Sequence, residues 1–544
     1  MDDSVSAKPA QNVPVTSRLW IPGKIAAAAA GIAVTAFALA VAELLALLGE
    51  RAGVLNQFSS PLLAVGAAFI TLTPEWLKQF AISTFGTQDK VALQVGMGIT
   101  VLLLAAVIGL IGRRSPRAAA GALLAFVGLS VVAILTRPAA VGPLDVLPAV
   151  VGAVVGVGVL GLIFRRTATY RAELDGYAPD SVASPALQRR GFLQIVAATA
   201  GAATVAGALG RFLPSAADVE SSRAALSVPS ATAQAFPDGL SLASIDEAVP
   251  GQPPFITPNA DFYRIDTALS LPSLTAEDWS LKIHGLVGKE RVINYSELVG
   301  LDQAERVITL TCVSNEVGGS LVGTAVWTGT MLGPIMTELG LDPSADCVLC
   351  TSSDGFTLTT PLESLIDGRD AMLAVAMNGE ILPREHGFPV RMVVPGLYGY
   401  VSATKWVVDM KVTRFADEVA YWTQRGWSER GPIKIASRID VPRGFSKVGD
   451  GDEVVFAGVA WAQDRGISAV EVQVDGGDWV PAELSPSLSK DTWRQWRMPW
   501  IASSGVHTVR CRAFDGNGEL QDEVERWPIP NGATGYDARS ITVG

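Results

Sequence analysis

Histidine is nearly missing from this chain: three residues in 544, and none before His284. The apolar N-terminal half therefore has no imidazole to offer, which excludes a membrane haem held by paired histidines. Cysteine is scarce as well. The four thiols (Cys312, Cys347, Cys350, Cys511) are too few and too clustered for a secreted disulfide framework. Cys347-Val-Leu-Cys350 lies in the strand-like run DCVLCTSS, where alternation sends the two thiols to opposite or skewed faces, and a second ligand pair for a metal is not visible. Cys511 and His507 share another strand-like stretch and read as structural. Charge is sparse too: 17% of residues, with a net charge of −11 and no basic patch, which excludes nucleic acid as a partner.

What the chain has in abundance is apolar sequence, with a mean hydropathy of +0.33. Residues 1–24 form a polar tail. Ile25–Leu48, Val91–Ile111, Ala118–Leu135 and Val146–Phe164 are each of spanning length, and Pro61–Phe85 is apolar but interrupted by Pro74, Glu75 and Lys78. Arg18 and Lys24, then Arg113, Arg114 and Arg117, then Arg165, Arg166 and Arg171 flank the spans. All of these clusters fall on the inner side only if Pro61–Phe85 is re-entrant or interfacial, leaving four true spans up to residue 164. Gln188-Arg189-Arg190-Gly191-Phe192-Leu193, followed by the weakly hydrophobic Ile195–Leu209, resembles a twin-arginine export signal. It makes Ile195–Leu209 a fifth span and sends everything after Leu213 outward. Glu43 is the main charge at lipid depth, so the spans read as an anchor and not as an ion pathway, which disfavours a transporter.

Residues 214–254 are Ser/Ala/Pro-rich and read as a linker; from Phe255 the texture becomes short strands with helices. Three stretches carry chemistry. Val307–Trp327 opens as a β-branched apolar run and breaks into polar residues just past Cys312. That is how a buried strand delivers one side chain to the mouth of a pocket. Alone, such a cysteine is an inert core residue; as a thiolate it is a soft metal ligand. Ile256–Arg264 places Asn259, Tyr263 and Arg264 together, which suits a polar anionic ligand or, equally, a capped turn. In Asn378–Trp406, a buried strand (Val390–Val394) lies between Gly-rich turns, with His386, Arg391 and Lys405 as donors. Glycines there let backbone amides approach a ligand, and two cations would neutralise a phosphate.

Together these stretches resemble the sulfite oxidase family of molybdopterin enzymes, over roughly Pro253–Thr413 and more loosely to the C-terminus. Cys312 with Asn315 matches the family's Cys-x-x-Asn, and Trp327-Thr-Gly329, HGFPVR and PGxxG…KW match as well. The resemblance implies a molybdenum–molybdopterin cofactor, with Cys312 as the protein's thiolate ligand to the metal and not a nucleophile. His386, Arg391 and Lys405 would bind the pterin and its phosphate, with Ser402 and Thr404 adding contacts. Asn259, Phe262 and Tyr263 match the turn that touches the pterin in the bacterial sulfoxide-reductase branch, Arg264 follows it, and Thr351 or Asp354 completes the pocket. Tyr398, Tyr400 and Glu316 would face the substrate. Sulfite-oxidising members follow Cys-x-x-Asn with two arginines, where this chain has Glu316 and Val317. A carboxylate there repels sulfite at short range, so a neutral or cationic substrate is expected, with sulfite dehydrogenation as the alternative.

From about Arg425 the chain alternates like a β-sandwich (Glu453–Val459, Ala469–Val474, Gly505–Phe514), with hairpin signals at Val-Asp-Gly-Gly and Phe-Asp-Gly-Asn-Gly. It resembles the immunoglobulin-like domain that follows the cofactor domain in this family and often dimerises. The expected organisation is a tail (1–24), an all-α transmembrane domain (25–213), a linker (214–254), an α+β molybdopterin domain (255–424) and a β-sandwich (425–544). The expected function is a multi-pass plasma-membrane oxidoreductase with its catalytic domain outside the cytoplasm, moving an oxygen atom by a two-electron reaction. Without a haem or iron–sulfur motif in this chain, a cytochrome or quinone must exchange the electrons. A second reading is a non-catalytic, membrane-anchored binding or adhesion protein with a decayed cofactor domain; Cys312 and the intact HGFPVR stretch argue against it.

Overall fold

The computed structural model describes Pro22 to Gly544 except residues 52–53, 56–58, 73–88, 136–142, 174–184, 210–215, 234, 237–239, 247–248, 269–270 and 443–446. Most of the N-terminal tail and the latter half of Pro61–Phe85 thus lie outside the described residues. The chain forms two compact units, Met1–Leu213 and Pro214–Gly544.

The first unit is helical: α1 Lys24–Arg51, α2 Pro61–Leu72, α3 Asp89–Gly112, α4 Pro116–Leu135, α5 Leu147–Glu173 and α6 Pro185–Leu209. Four stretches (Lys24–Gly49, Val95–Gly112, Pro116–Leu135, Leu144–Phe164) are long and apolar enough to cross a bilayer. The described part of α2 is 12 residues, about 18 Å of helix. The segment expected as a fifth span lies in α6, which is outside those four. Small residues set the packing. A methyl group added at Gly31 would stand 2.1 Å from the Ala105 carbonyl oxygen, and one at Gly109 would stand 2.0 Å from that of Ala27, so α1 and α3 meet backbone to backbone. The Glu43 carboxylate accepts the Ser60 hydroxyl (2.6 Å) and the Leu62 amide (2.9 Å), capping the start of α2. Its carboxyl group has a structural use.

The second unit opens with the helices Ala216–Ala225 and Leu242–Ile245 and then builds two sheets. Strands β1 Ser280–Gly285, β2 Arg291–Asn294, β3 Gln303–Thr311, β4 Val322–Met331, β5 Cys347–Ser352, β6 Thr357–Pro361, β7 Met372–Met377, β8 Glu380–Ile381, β9 Arg391–Val393 and β10 Val407–Thr413 pair as β2-β1-β10-β5-β6 and β3-β4-β7-β8, with β9 on β7. β5 and β7 are buried almost throughout, as continuous apolar runs should be in a sheet covered on both faces. Cys347 and Cys350 are buried within β5. The antiparallel β3–β4 ladder runs from Gln303↔Thr330 to Thr311↔Val322. One further bond, Cys312 N–H to Leu321 O at 2.9 Å, ends it. Cys312 is therefore the first residue past a fully hydrogen-bonded strand.

The remaining strands are β11 Ala436–Val441, β12 Lys447–Val448, β13 Glu453–Trp461, β14 Ile467–Val474, β15 Val480–Pro481, β16 Glu483–Leu484, β17 Arg494–Ile501, β18 Gly505–Asp515 and β19 Ala538–Val543. They form two sheets, β11-β13-β17-β16 and β12-β19-β18-β14-β15, around a core that includes Phe456, Val472 and Trp496. The Val-Asp-Gly-Gly hairpin turns through Asp475 and Gly476, both at positive φ. This part also covers the free edge of β3. Gln463 Nε2 donates to Thr309 O (2.9 Å), Thr309 N–H to Asp491 O (3.0 Å), and Trp493 N–H to the Thr309 hydroxyl (2.8 Å).

Asp491 is buried, and its Oδ1 accepts the Asp464 amide at 3.0 Å. Burial, only partly offset by that amide, pushes its carboxyl up to about 6, above an unfolded value near 3.9. The folded state therefore holds the proton more tightly. Stability from this group is full below about pH 4 and is lost as pH rises through 6. Asp491→Asn keeps an acceptor for Asp464 and removes the charge. It is expected to stabilise the protein at pH 8 by on the order of 1–3 kcal/mol and to flatten the pH 4–6 dependence of Tm. A lower Tm at pH 8 would refute this account.

Candidate active site

Cys312 is 9% exposed. Its Sγ lies 2.9 Å from the Ser314 hydroxyl, its carbonyl accepts the Asn315 amide (3.1 Å), and burial raises the thiol's pKa. Asn315 is turned inward, its Oδ1 accepting the Leu321 amide at 2.8 Å. The residue following Cys-x-x is thus spent on closing the 312–321 loop. A methyl group at Gly319 would fall 2.6 Å from that Oδ1, so glycine is needed for the closure.

Around the thiol stand aromatic and cationic groups from distant parts of the chain. Phe262 stacks on Tyr263 with centroids 5.3 Å apart, and meets Trp327 and His386 edge-on at 5.8 and 5.6 Å. The absent side chain of Gly323 makes room for it, since a methyl group there would stand 2.9 Å from the Phe262 ring. Burial, reinforced by the neighbouring Cys312, raises the Tyr263 pKa. Tyr398 is buried; its hydroxyl accepts the Lys434 amide (3.4 Å), and burial pushes its pKa up to about 12.

Arg391 is the decisive group. It is 5% exposed, its guanidinium sits 4.8 Å over the Trp327 ring, and Nη1 donates to His386 O at 3.0 Å. Its Nε has no acceptor, and among the described residues no carboxylate pairs with it. Burial brings its pKa down to about 10. Lys405 Nζ donates to Asp266 Oδ2 (2.9 Å) and Glu385 O (3.1 Å), and burial, opposed by Asp266, lowers it to about 8. Arg264 Nε reaches the same Asp266 oxygen at 2.8 Å. His386 Nε2 lies 3.0 Å from Asn259 O. Burial brings its pKa down to about 4, so near neutral pH the ring is uncharged and Nε2 carries the donated proton. Asp354 lies near Lys405 and Asp266, its carboxyl raised by burial. Thr351 is half-buried on β5.

Some of the residues singled out in the sequence are committed to the scaffold. Asn259 bonds Asn378, Met377 O and Glu380 through its amide. The Ser402 hydroxyl donates to Leu397 O and Tyr398 O, both at 3.0 Å. Tyr400 donates to Ser428 O at 2.6 Å. Thr404 differs: its backbone O accepts the Met392 amide, but its buried hydroxyl has no hydrogen-bond partner among the described residues. Glu316 is exposed to solvent. Groups that sequence reasoning missed come from the far end of the chain. Arg438 Nη1 donates to Gly319 O (2.7 Å) and Arg539 Nη2 to Gly318 O (3.3 Å), gripping the turn after Cys312. Gly532 abuts Tyr398, since a methyl group there would stand 2.4 Å from its hydroxyl. No local pattern marks these residues.

The cage fits a molybdopterin on its own terms. A buried guanidinium without a counter-ion needs an anion, Cys312 and Arg391 both lie close enough to Tyr263 to act on its hydroxyl, and the Phe262, Trp327 and His386 rings pack beside them. Residues 268–422 match the model of the oxidoreductase molybdopterin binding domain. The chain is 27% identical over 319 residues to human mitochondrial sulfite oxidase, covering 50% of this chain and 58% of that protein. It is 31% identical over 153 residues to the Bacillus subtilis oxidoreductase YuiH, covering 28% of this chain and 74% of that one. Among solved structures, the sulfane dehydrogenase SoxCD from Paracoccus pantotrophus aligns over 56% of this chain and 87% of that one, at 21% identity and a TM-score of 0.47. The chain thus spans little more than half the length of the mitochondrial relative it matches. The chain belongs to the sulfite oxidase family of molybdopterin oxidoreductases.

Proposed function

We propose that this protein is a membrane-anchored enzyme whose molybdopterin unit faces outward and carries out two-electron oxygen-atom transfer on a small substrate other than sulfite. The observation that carries the catalytic reading is Arg391, a buried cation whose charge no described carboxylate meets. The cofactor, when bound, supplies a metal that alternates between states two electrons apart and accepts or donates an oxygen atom. Cys312 would hold that metal through Sγ. Arg391 and Lys405 would neutralise the phosphate, uncharged His386 would orient the pterin beside Phe262 and Tyr263, and the Tyr398 hydroxyl would meet the substrate.

The substrate class follows from what the turn after Cys312 offers. Glu316 points to solvent, where its repulsion of an anion is screened. The arginines near this turn weigh more. Arg438 and Arg539, which reach this turn, give Nη protons to backbone carbonyls and pair with Asp440 and Asp537. Neither offers an uncommitted charge to an oxyanion, which supports a neutral substrate such as a sulfoxide or N-oxide.

The membrane reading rests on the four apolar stretches and on the side chains they expose, among them Leu103 and Val107 of α3 and Leu129 of α4. With the basic clusters inside, α6 leads the chain outward through the Arg189–Arg190 signal, and the two C-terminal sheets form an immunoglobulin-like sandwich. Elemental analysis of the purified protein should find about one molybdenum per chain, and turnover should be faster with sulfoxides or N-oxides than with sulfite. A metal-free protein, purified from cells that make the cofactor, would sink the catalytic reading; preference for sulfite would sink the substrate class.

A further inference from the structure

The Cys-x-x-Asn pattern leaves its third position open, and in this chain a serine occupies it. Ser314 does more than fill the turn. Its hydroxyl oxygen stands 2.9 Å from Cys312 Sγ, as close as two hydrogen-bonded oxygens although sulfur is the larger atom. The buried thiol of Cys511 gives a comparison within the same chain: its contact with the Ser437 hydroxyl is 3.3 Å. Ser314 also brings its backbone N–H to the Cys312 sulfur. A thiol can share its own proton with a hydroxyl, but a thiolate has none. Toward a thiolate, both groups of Ser314 therefore act as donors. Among the described residues, no other side chain hydrogen-bonds this sulfur, and the Ser314 hydroxyl makes no other bond.

The turn is built to keep Ser314 in place. Asn315 N–H returns to Cys312 O at 3.1 Å, closing residues 312–315 on themselves, and Cys312 N–H is tied to Leu321 O at 2.9 Å. Asn315 Oδ1 takes the Leu321 amide at 2.8 Å from inside the loop. Val313 and Asn315, on either side of Ser314, are buried. With the backbone fixed, the hydroxyl swings only about its own Cα–Cβ bond, and the sulfur is the acceptor it meets.

We propose that Ser314 is a positioning residue for the metal ligand: its hydroxyl and amide donate to the Cys312 thiolate, weaken the electron donation of that sulfur, and so raise the reduction potential of the metal it would hold. This rests on the catalytic reading above and deepens it. Cys312 decides which atom meets the metal, and Ser314 decides how strongly that atom gives up its charge. Electron density held by an O–H and an N–H dipole is density withheld from the metal, and hydrogen bonding at a ligand sulfur is a general lever on redox potential.

The test uses the full chain in detergent, purified with its cofactor. The metal is titrated with redox mediators while the electron paramagnetic resonance of its odd-electron state is followed. Ser314→Ala removes the hydroxyl donor and leaves the amide. Loss of an outer-shell partner typically costs tenfold to a hundredfold at a metal site. With one donor remaining, the low end applies: a tenfold shift of the redox equilibrium, which lowers the midpoint by about 59 mV for a one-electron step. Molybdenum content and Tm should stay at wild-type values, because the backbone bonds of the turn are untouched. Ser314→Thr keeps a hydroxyl and should restore the equilibrium to within about twofold of wild type. An alanine variant whose equilibrium lies within twofold of wild type would overturn the proposal. So would an equal fall in the alanine and threonine variants, or a loss of Tm and molybdenum together in Ser314→Ala, which would make the residue merely structural. The two readings fail distinguishably. A chain that comes without molybdenum from cells that make the cofactor refutes the catalytic reading and this one with it, whereas a loaded chain whose midpoint ignores Ser314 refutes this one alone.

Discussion

Cys312→Ala is expected to lower oxygen-atom transfer at least about a hundredfold, since loss of even an outer-shell partner typically costs tenfold to a hundredfold. The fold should survive. Cys312 is held by backbone bonds, its N–H to Leu321 O and its carbonyl from Asn315 N–H, and alanine keeps both. What would disappear is the proposed soft sulfur ligand, for which alanine has no substitute and serine only a harder oxygen. X-ray absorption at the molybdenum edge separates this role from packing: the variant should show one fewer sulfur neighbour of the metal. An unchanged sulfur count, or activity within twofold of wild type, would rule out Cys312 as the ligand.

Trp327→Ala should be the most damaging single change to stability. Trp327 is 0% exposed on β4, its Nε1–H donates to Ile308 O at 3.2 Å, and its ring supports both Phe262 and the Arg391 guanidinium. Truncating a buried Trp costs about 3–5 kcal/mol, a large share of the roughly 5–15 kcal/mol that holds a typical domain together. The expected fall in Tm is on the order of 10 °C. Arg391 would also lose the ring beneath it, so cofactor content after dialysis should fall along with stability. Trp327→Phe keeps an aromatic face and loses the indole N–H, and should recover most of both. A Tm within about 2 °C of wild type in the alanine variant would contradict the packing described for β4.

Much of this was legible in the sequence wherever the signal was local. The apolar run before Cys312 is β3, Val390–Val394 contains β9, and Glu453–Val459, Ala469–Val474 and Gly505–Phe514 fall on β13, β14 and β18. The Phe262–Tyr263, His386 and Arg391 stretches do come together, as the ring and guanidinium contacts show. What could not be read was how each polar group spends its hydrogen bonds. Asn259 carries the donor chemistry of a ligand contact, yet its amide N–H goes to Met377 O, 118 residues away, while its Oδ1 accepts from Asn378. Tyr400 sits two residues from Tyr398, but a carbonyl 28 residues on takes its proton. Arg438 and Arg539 look like surface cations in sequence, and only the pairing of β11 and β19 into their sheets brings them to the Gly318–Gly319 turn. Helix capping was similarly hidden. Pro61–Phe85 reads as an apolar stretch broken at Pro74, Glu75 and Lys78, but nothing in it announces that Glu43, on α1, caps the start of its helix.

The cover over the outer edge of β3 sets an order of events in the life of the chain. The Thr309 hydroxyl is matched by an amide 184 residues downstream, and its carbonyl by a side chain 154 residues downstream. While the ribosome has not yet delivered Gln463 and Trp493, the strand leading to Cys312 is an open edge, able to template pairing with another chain. Contacts this distant in sequence close late, because chain entropy must be overcome first. The thiol therefore reaches its final place only after Gln463 and Trp493 have emerged and packed, and a cofactor that required this thiol would be loaded after that step.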